Sequence, residues 1–245
     1  MENIFKNSAN DNPDTSIQGQ FDFLKDNYSE IFVQAAESIR AELDKFKPEN
    51  PCADCKIKCE VKQKDIFADY PIGCIYREWQ TKSLSFLNGD YQQKLKNSYN
   101  LIMDKKCNYE CNKCGTCCKL AVSEYSYNQL KQKAFRGDPF SKDFVSVFVP
   151  YESDEAARAA YPEYFENLGN ITDSKIYFYY CPKLKDNMCS DYENRPDMCK
   201  NYPQNPLKIL PSDCSFVAWR QEVAKSAMLI KAKTDIIDFY KEKLG

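Results

Sequence analysis

Histidine is missing from this sequence altogether, and that absence removes much familiar chemistry. Ser-His-Asp and Cys-His catalytic arrangements, His-rich zinc hydrolase sites and Cys2His2 fingers all need an imidazole. Glycine is scarce, with seven in 245 residues. Gly19, Gly73, Gly89, Gly115, Gly137, Gly169 and Gly245 spell neither G-x-G-x-x-G nor a Walker-type loop, so kinase, ATPase and Rossmann nucleotide sites are not expected. Net charge is small as well: 34 basic against 36 acidic residues leave −2, and no global field draws in nucleic acid or an anionic membrane. Long apolar runs are lacking too. The longest, around Phe144 to Val149, is far short of a membrane span. The polar, acidic stretch from Met1 to Ser16 does not have the basic-then-apolar layout of a signal peptide. These absences predict a cytoplasmic protein with no membrane and no nucleic-acid partner.

What the sequence does have is thirteen cysteines. An odd count, no export signal and a chain long enough to bury a core without staples argue against a secreted disulfide framework. In a reducing compartment the same usage points to metal. With no imidazole available, a transition-metal site must be built mainly from thiolates.

Apolar periodicity predicts a mainly α fold: a helical scaffold around irregular cysteine-rich metal-binding loops, with at most a few short strands. Ile17, Phe21, Leu24, Tyr28, Ile31, Ala35, Ile39, Leu43 and Phe46 recur every three or four residues until Pro48. A second pattern runs through Ile75, Trp79, Leu87, Tyr91, Leu95, Tyr99 and Ile102, with Asn88-Gly89 as an expected break. A short strand is expected over Leu120–Val122, helices over Ser123–Phe135 and Glu155–Leu168, and a strand over Ile176–Tyr180. Pro211, Ser212 and Asp213 announce a long last helix in which Phe216, Val223, Ile230 and Ile237 repeat every seven residues. The organisation expected is a flexible polar tail over 1–16 and an N-terminal helical region over 17–106 with an accessory cysteine group. A cysteine-cluster metal-binding region over 107–214 follows, then a C-terminal helix over 215–245 packing on the same domain.

Cys111, Cys114 and Cys117 form a C-x2-C-x2-C run with Cys118 directly after. Spacing by three lets successive thiolates turn toward one centre, as in bacterial ferredoxins. Gly115 relaxes the backbone inside the loop. Neighbouring Cys117 and Cys118 are expected to diverge, with one of them serving a second centre or packing. Downstream, Cys181, Cys189, Cys199 and Cys214 supply remote ligands, and Cys181-Pro182 matches the Cys-Pro of ferredoxin runs. Pro196 suits the first turn of a short helix carrying Cys199. Arg195 is a candidate to hydrogen-bond an anionic centre or fix the loop, and Tyr192 to shield the site or fill core.

Cys111-Asn112-Lys113-Cys114-Gly115-Thr116-Cys117-Cys118 resembles the C-x-x-C-G-x-C-C signature of the zinc- or iron-chelating cysteine-cluster family, the YkgJ-like proteins. The second half is similar as well: Cys181-Pro182, Cys189, Tyr192, Arg195-Pro196, Cys199 and Tyr202-Pro203, with Cys214 in the place of the last family cysteine. The resemblance spans Tyr109 to Cys214 and implies metal chelation by up to eight cysteines without a settled reaction. A related signature in flagellin lysine methylases implies protein modification as a further reading, although no glycine-rich S-adenosylmethionine loop is present.

Cys52, Cys55, Cys59 and Cys74 make an accessory group outside that signature, able to close one zinc site or hold one cluster. Cys107 is left over, as a spare ligand or, preferentially, a buried thiol. Thiolates suit both metals. The three-cysteine run with a remote Cys-Pro favours iron–sulfur over zinc at the central site, with a redox or protein-modification role. The alternative is a zinc-stapled interaction module whose helices bind a protein partner. No nucleophile–base pair is identifiable, so the sequence does not settle whether the protein is an enzyme.

Overall fold

The computed structural model describes residues 14–49, 57, 61, 65–168 and 176–245. The protein is mainly helical, with a few short strands, as the periodicity predicts. The apolar repeat from Ile17 becomes α1 (Ile17–Asp44). The next pattern becomes α2 (Ile75–Phe86) and α3 (Gln92–Lys105). Asn88-Gly89 does not break them: Leu87–Tyr91 winds as a π-helical turn that keeps the helix continuous. Its wider turn buries both Leu87 and Tyr91, a packing gain that overrides the local turn signal.

Beyond Cys107 the elements are shorter. The single turn α4 (Thr116–Lys119) leads into strand β1 (Ala121–Ser123) and helix α5 (Tyr127–Phe135). Ser126 and Gln129 close a capping box at the start of α5. Helix α6 (Pro139–Val147) follows, which the sequence reading missed. Asp138 caps it by accepting from Ser141 N at 2.8 Å, and Pro139 occupies its first turn. After β2 (Val149–Pro150), the helix expected over Glu155–Leu168 divides into α7 (Asp154–Ala160) and α8 (Pro162–Leu168). The division falls at Tyr161 because a residue preceding proline is pushed out of the helical region.

Strand β3 (Tyr177–Tyr180) is central to an antiparallel sheet of order β1-β3-β2, with Ala121 opposite Tyr179 and Val149 opposite Tyr180. A hairpin of β4 (Leu184–Lys185) and β5 (Met188–Cys189) turns through Asp186 and Asn187, both at positive φ. Then come α9 (Asp197–Lys200) and the long α10 (Phe216–Leu244). Among the described residues no helix is long and apolar enough to cross a membrane.

The chain divides into two compact units, one of residues 23–107 with 222–245, the other of residues 1–22 with 108–221. In the first, Ile31, Ala35, Ile39 and Leu43 line the buried stripe of α1, and Trp79 donates its indole N–H to Leu43 O at 2.8 Å. In the second, Ala121, Leu130, Phe144, Val147, Phe148, Tyr179 and Cys181 form an apolar core. Phe144 meets the Tyr179 ring edge-on at 5.0 Å, and the Tyr179 hydroxyl donates to Tyr125 O. Cys118 and Cys199 pack at the margin of this core, which fixes where the cysteine segments lie.

Candidate metal centre

The two cysteine stretches, distant in sequence, are joined by the backbone. Cys181 N–H donates to Cys118 O at 2.8 Å, continuing the pairing of β1 with β3 toward α4. On the other flank, Asn112 N donates to Ser215 Oγ at 3.3 Å, its side-chain amide donates to Asp213 O, and Ser215 Oγ donates to Glu110 O. Cys214 is thereby held beside the loop of Cys111 and Cys114.

Gly115 opens α4 with φ at +75°, in the left-handed region. A Cβ there would collide with the Asn187 carbonyl and stand 3.1 Å from Leu184 Cδ1. The hairpin that carries Cys189 therefore rests directly against the glycine, and only a residue without a side chain permits that approach. Pro196 caps α9, and Cys199 N–H bonds its carbonyl at 2.9 Å.

A cleft of about 90 Å³ results, lined by the sulfur-bearing residues Cys111, Cys117, Cys118, Cys181, Cys189 and Cys199. Cys117 and Cys118 both line it, and the Cys118 thiol lies within hydrogen-bond reach of the Cys117 sulfur. Cys114 lies apart from that lining, paired with Cys214: the Cys214 thiol donates to the Cys114 sulfur and holds Cys114 down at about 6 against opposing burial, while Cys214 is pushed up. Cys118 likewise donates to Cys117, lowering Cys117 and raising itself. Burial first, and neighbouring thiolates second, push Cys199 up to about 11.

Arg195 and Tyr192 form one wall of the cleft. The guanidinium lies 3.5 Å from the Tyr192 ring centre and Arg195 Nε donates to Tyr192 O at 2.8 Å, so this arginine fixes its loop. Lys113 Nζ stands 4.3 Å from the same ring. Sequence reasoning missed Lys208, whose positive charge acts with Arg195 to hold Cys117 down. The signal available was a lone lysine inside the apolar stretch Pro206 to Leu210.

The remaining cysteines fall elsewhere. Cys52, Cys55 and Cys59 lie outside the described residues. Their fourth expected partner, Cys74, is buried at the start of α2. Cys107, expected as buried, is exposed in the turn Lys106–Asn108, because no apolar neighbour sequence draws that turn inward.

The donor chemistry fits zinc or an iron–sulfur cluster: the lining donors are thiols, with cations close by to steady their anionic forms. The buried Tyr161 hydroxyl has no hydrogen-bond partner among the described residues, and burial first, then the charges of Glu163, Asp213 and Cys114, push its pKa up. Among the described residues no three Cys, Asp or Glu side chains are already drawn into a shell that holds an ion. Six of the sulfurs line one cleft, where Cys118 still donates to Cys117, and ligation requires the thiols to give up their protons.

Residues 110–223 match the family model described as "Putative zinc- or iron-chelating domain", CxxCxxCC, bounds that nearly coincide with the 108–221 segment of the cysteine-bearing unit. Neither the curated proteins nor the solved structures compared with the chain give a match.

Proposed function

We propose, from the premise that residues 110–223 are a zinc- or iron-chelating CxxCxxCC domain, that this domain holds an iron–sulfur cluster on thiolates drawn from both of its cysteine stretches. The observation that carries the reading is the single cleft lined by Cys111, Cys117 and Cys118 from one stretch and Cys181, Cys189 and Cys199 from the other. The C-x2-C-x2-C run with a remote Cys-Pro is ferredoxin-type spacing. Cys114 and Cys214 complete the eight ligand candidates from beside the cleft. Such a centre supplies one-electron redox chemistry when bound. The chain's own residues position it: Gly115 admits the hairpin of Cys189, Arg195 locks the Tyr192 wall, and Lys208 and Arg195 balance thiolate charge.

Anaerobic purification followed by metal and sulfide analysis tests the reading. Iron with matching acid-labile sulfide, and broad visible absorption bleached by dithionite, are the expected result. A colourless protein with stoichiometric zinc would overturn the cluster and leave a structural staple for a protein-interaction module. A protein with neither metal would overturn both.

A further inference from the structure

Next to the cysteine cleft lies a second cavity of about 180 Å³, which shares Cys117, Cys118 and Cys199 with it. Much of its lining is apolar: Phe140, Phe144 and Phe148 from α6 and its end, Met198 from α9, and Leu120 and Val122 around β1. Its polar lining residues include Gln204, Asn205 and Lys208. A cavity with an apolar body and a few convergent polar groups is the usual form of a small-molecule site.

Lys208 gives this one its sign. Its ammonium lies 4.9 Å from the centre of the Tyr202 ring, another lining residue. Among the described residues no carboxylate pairs with it. The anion that acts on it is Cys117, a sulfur already shared with the cleft. The backbone beneath is fixed from several sides. Lys208 N bonds Asn205 O at 3.1 Å, and Lys208 O accepts from Arg220 Nε at 3.0 Å. Two residues on, Leu210 exchanges two hydrogen bonds with the buried side chain of Gln20. The backbone that carries the cation is thus held in place.

We propose that this cavity binds a small organic monocarboxylate with an aromatic or branched apolar body, its carboxylate on Lys208 Nζ and its body against Phe140, Phe144, Phe148 and Met198. One lysine amid apolar walls suits a single negative charge. A phosphate dianion would leave one charge unmatched there. The bound molecule would lie against Cys117, Cys118 and Cys199, at the edge of the thiolate centre. The proposal uses only the chain's own side chains and stands without any metal.

Phenylacetate and its neutral isostere phenylacetamide are the probes, titrated into the full chain by calorimetry with metal content assayed in the same samples. A wrong metal reading and a wrong ligand reading then show separately. The acid should bind about tenfold tighter than the amide, the ratio expected of one charge-assisted hydrogen bond. Lys208→Gln should erase that preference, bringing the affinity of the acid down to that of the amide. Val122→Trp, a change on a partly exposed strand residue that fills the cavity, should weaken both probes. The proposal is overturned if neither probe binds at millimolar concentration, if acid and amide bind the wild type equally, or if Lys208→Gln keeps the preference.

Discussion

The two units of this protein reach order by different means. Residues 23–107 with 222–245 are long helices whose apolar stripes bury Ile31, Ala35, Ile39, Leu43, Trp79, Ile236 and Ile237, the ordinary hydrophobic route to stability. Residues 108–221 are short elements, several of them a single turn or two residues long, laid around a small aromatic core and a cleft of sulfurs. Helices so short do not stand alone. Backbone clips, a required glycine and buried polar groups do there what helix packing does in the other unit. The difference teaches that apolar contacts build one unit, whereas the geometry of the other depends on features specific to its cysteines.

The largest expected effect breaks the helical side of that comparison. Trp79 is 3% exposed, and Trp79→Ala should cost about 3–5 kcal/mol, from the cavity and the orphaned Leu43 carbonyl. Denaturant titration measures the loss, and metal per folded chain should not change. Next is a chemical contrast within the cysteine unit, in the metal-free protein. Cys114, held at about 6, is mostly thiolate at neutral pH, and its alkylation by iodoacetamide should slow as pH falls through about 6. Cys199, pushed up to about 11, stays a thiol and should react on the order of tens of times more slowly at neutral pH, after allowing for the weaker nucleophilicity of a low-pKa thiolate. Peptide mapping of the alkylated sites at several pH values reads both.

Such contrasts were only partly open to reading from the sequence. The strong repeats from Ile17 and from Phe216 announced α1 and α10, because one-sided burial over many turns leaves a long periodic trace. Tyr177–Tyr180 could be read as a strand from its aromatic run, but its central place in the sheet could not, since both partners are only two or three residues long. Helix α6 escapes the apolar periodicity although Asp138-Pro139 is a start signal, because nine residues leave only a short periodic trace. The cysteine spacing pointed to the right loops. It did not reveal that Cys117 and Cys118 line the same cleft, which depends on the one-turn helix set by Gly115. Nor did it reveal Lys208, whose setting comes from contacts with Arg220 and, through Leu210, Gln20, far away in sequence.

Smaller effects sharpen the comparison further. Gly115→Ala should cost more than the roughly 1–2 kcal/mol of a left-handed backbone, because its Cβ meets the Asn187 carbonyl, and it should reduce metal content as the Cys189 hairpin is displaced. Gly137→Ala, at φ +93° with nothing within 4 Å of its Cβ, should cost only the backbone share and leave metal unchanged. Thermal unfolding with metal assay separates the two. Smallest of all, Arg195→Lys keeps the charge but loses the planar stack on Tyr192, and should lower stability by about 0.5–1 kcal/mol.

The central claim is that sulfurs from two distant stretches serve one inorganic centre. Metal per chain in Cys117→Ser and Cys199→Ser, each purified anaerobically beside the wild type, tests it most directly. Loss of the same metal signal from both variants is the predicted result, and a full wild-type complement in either one would contradict it.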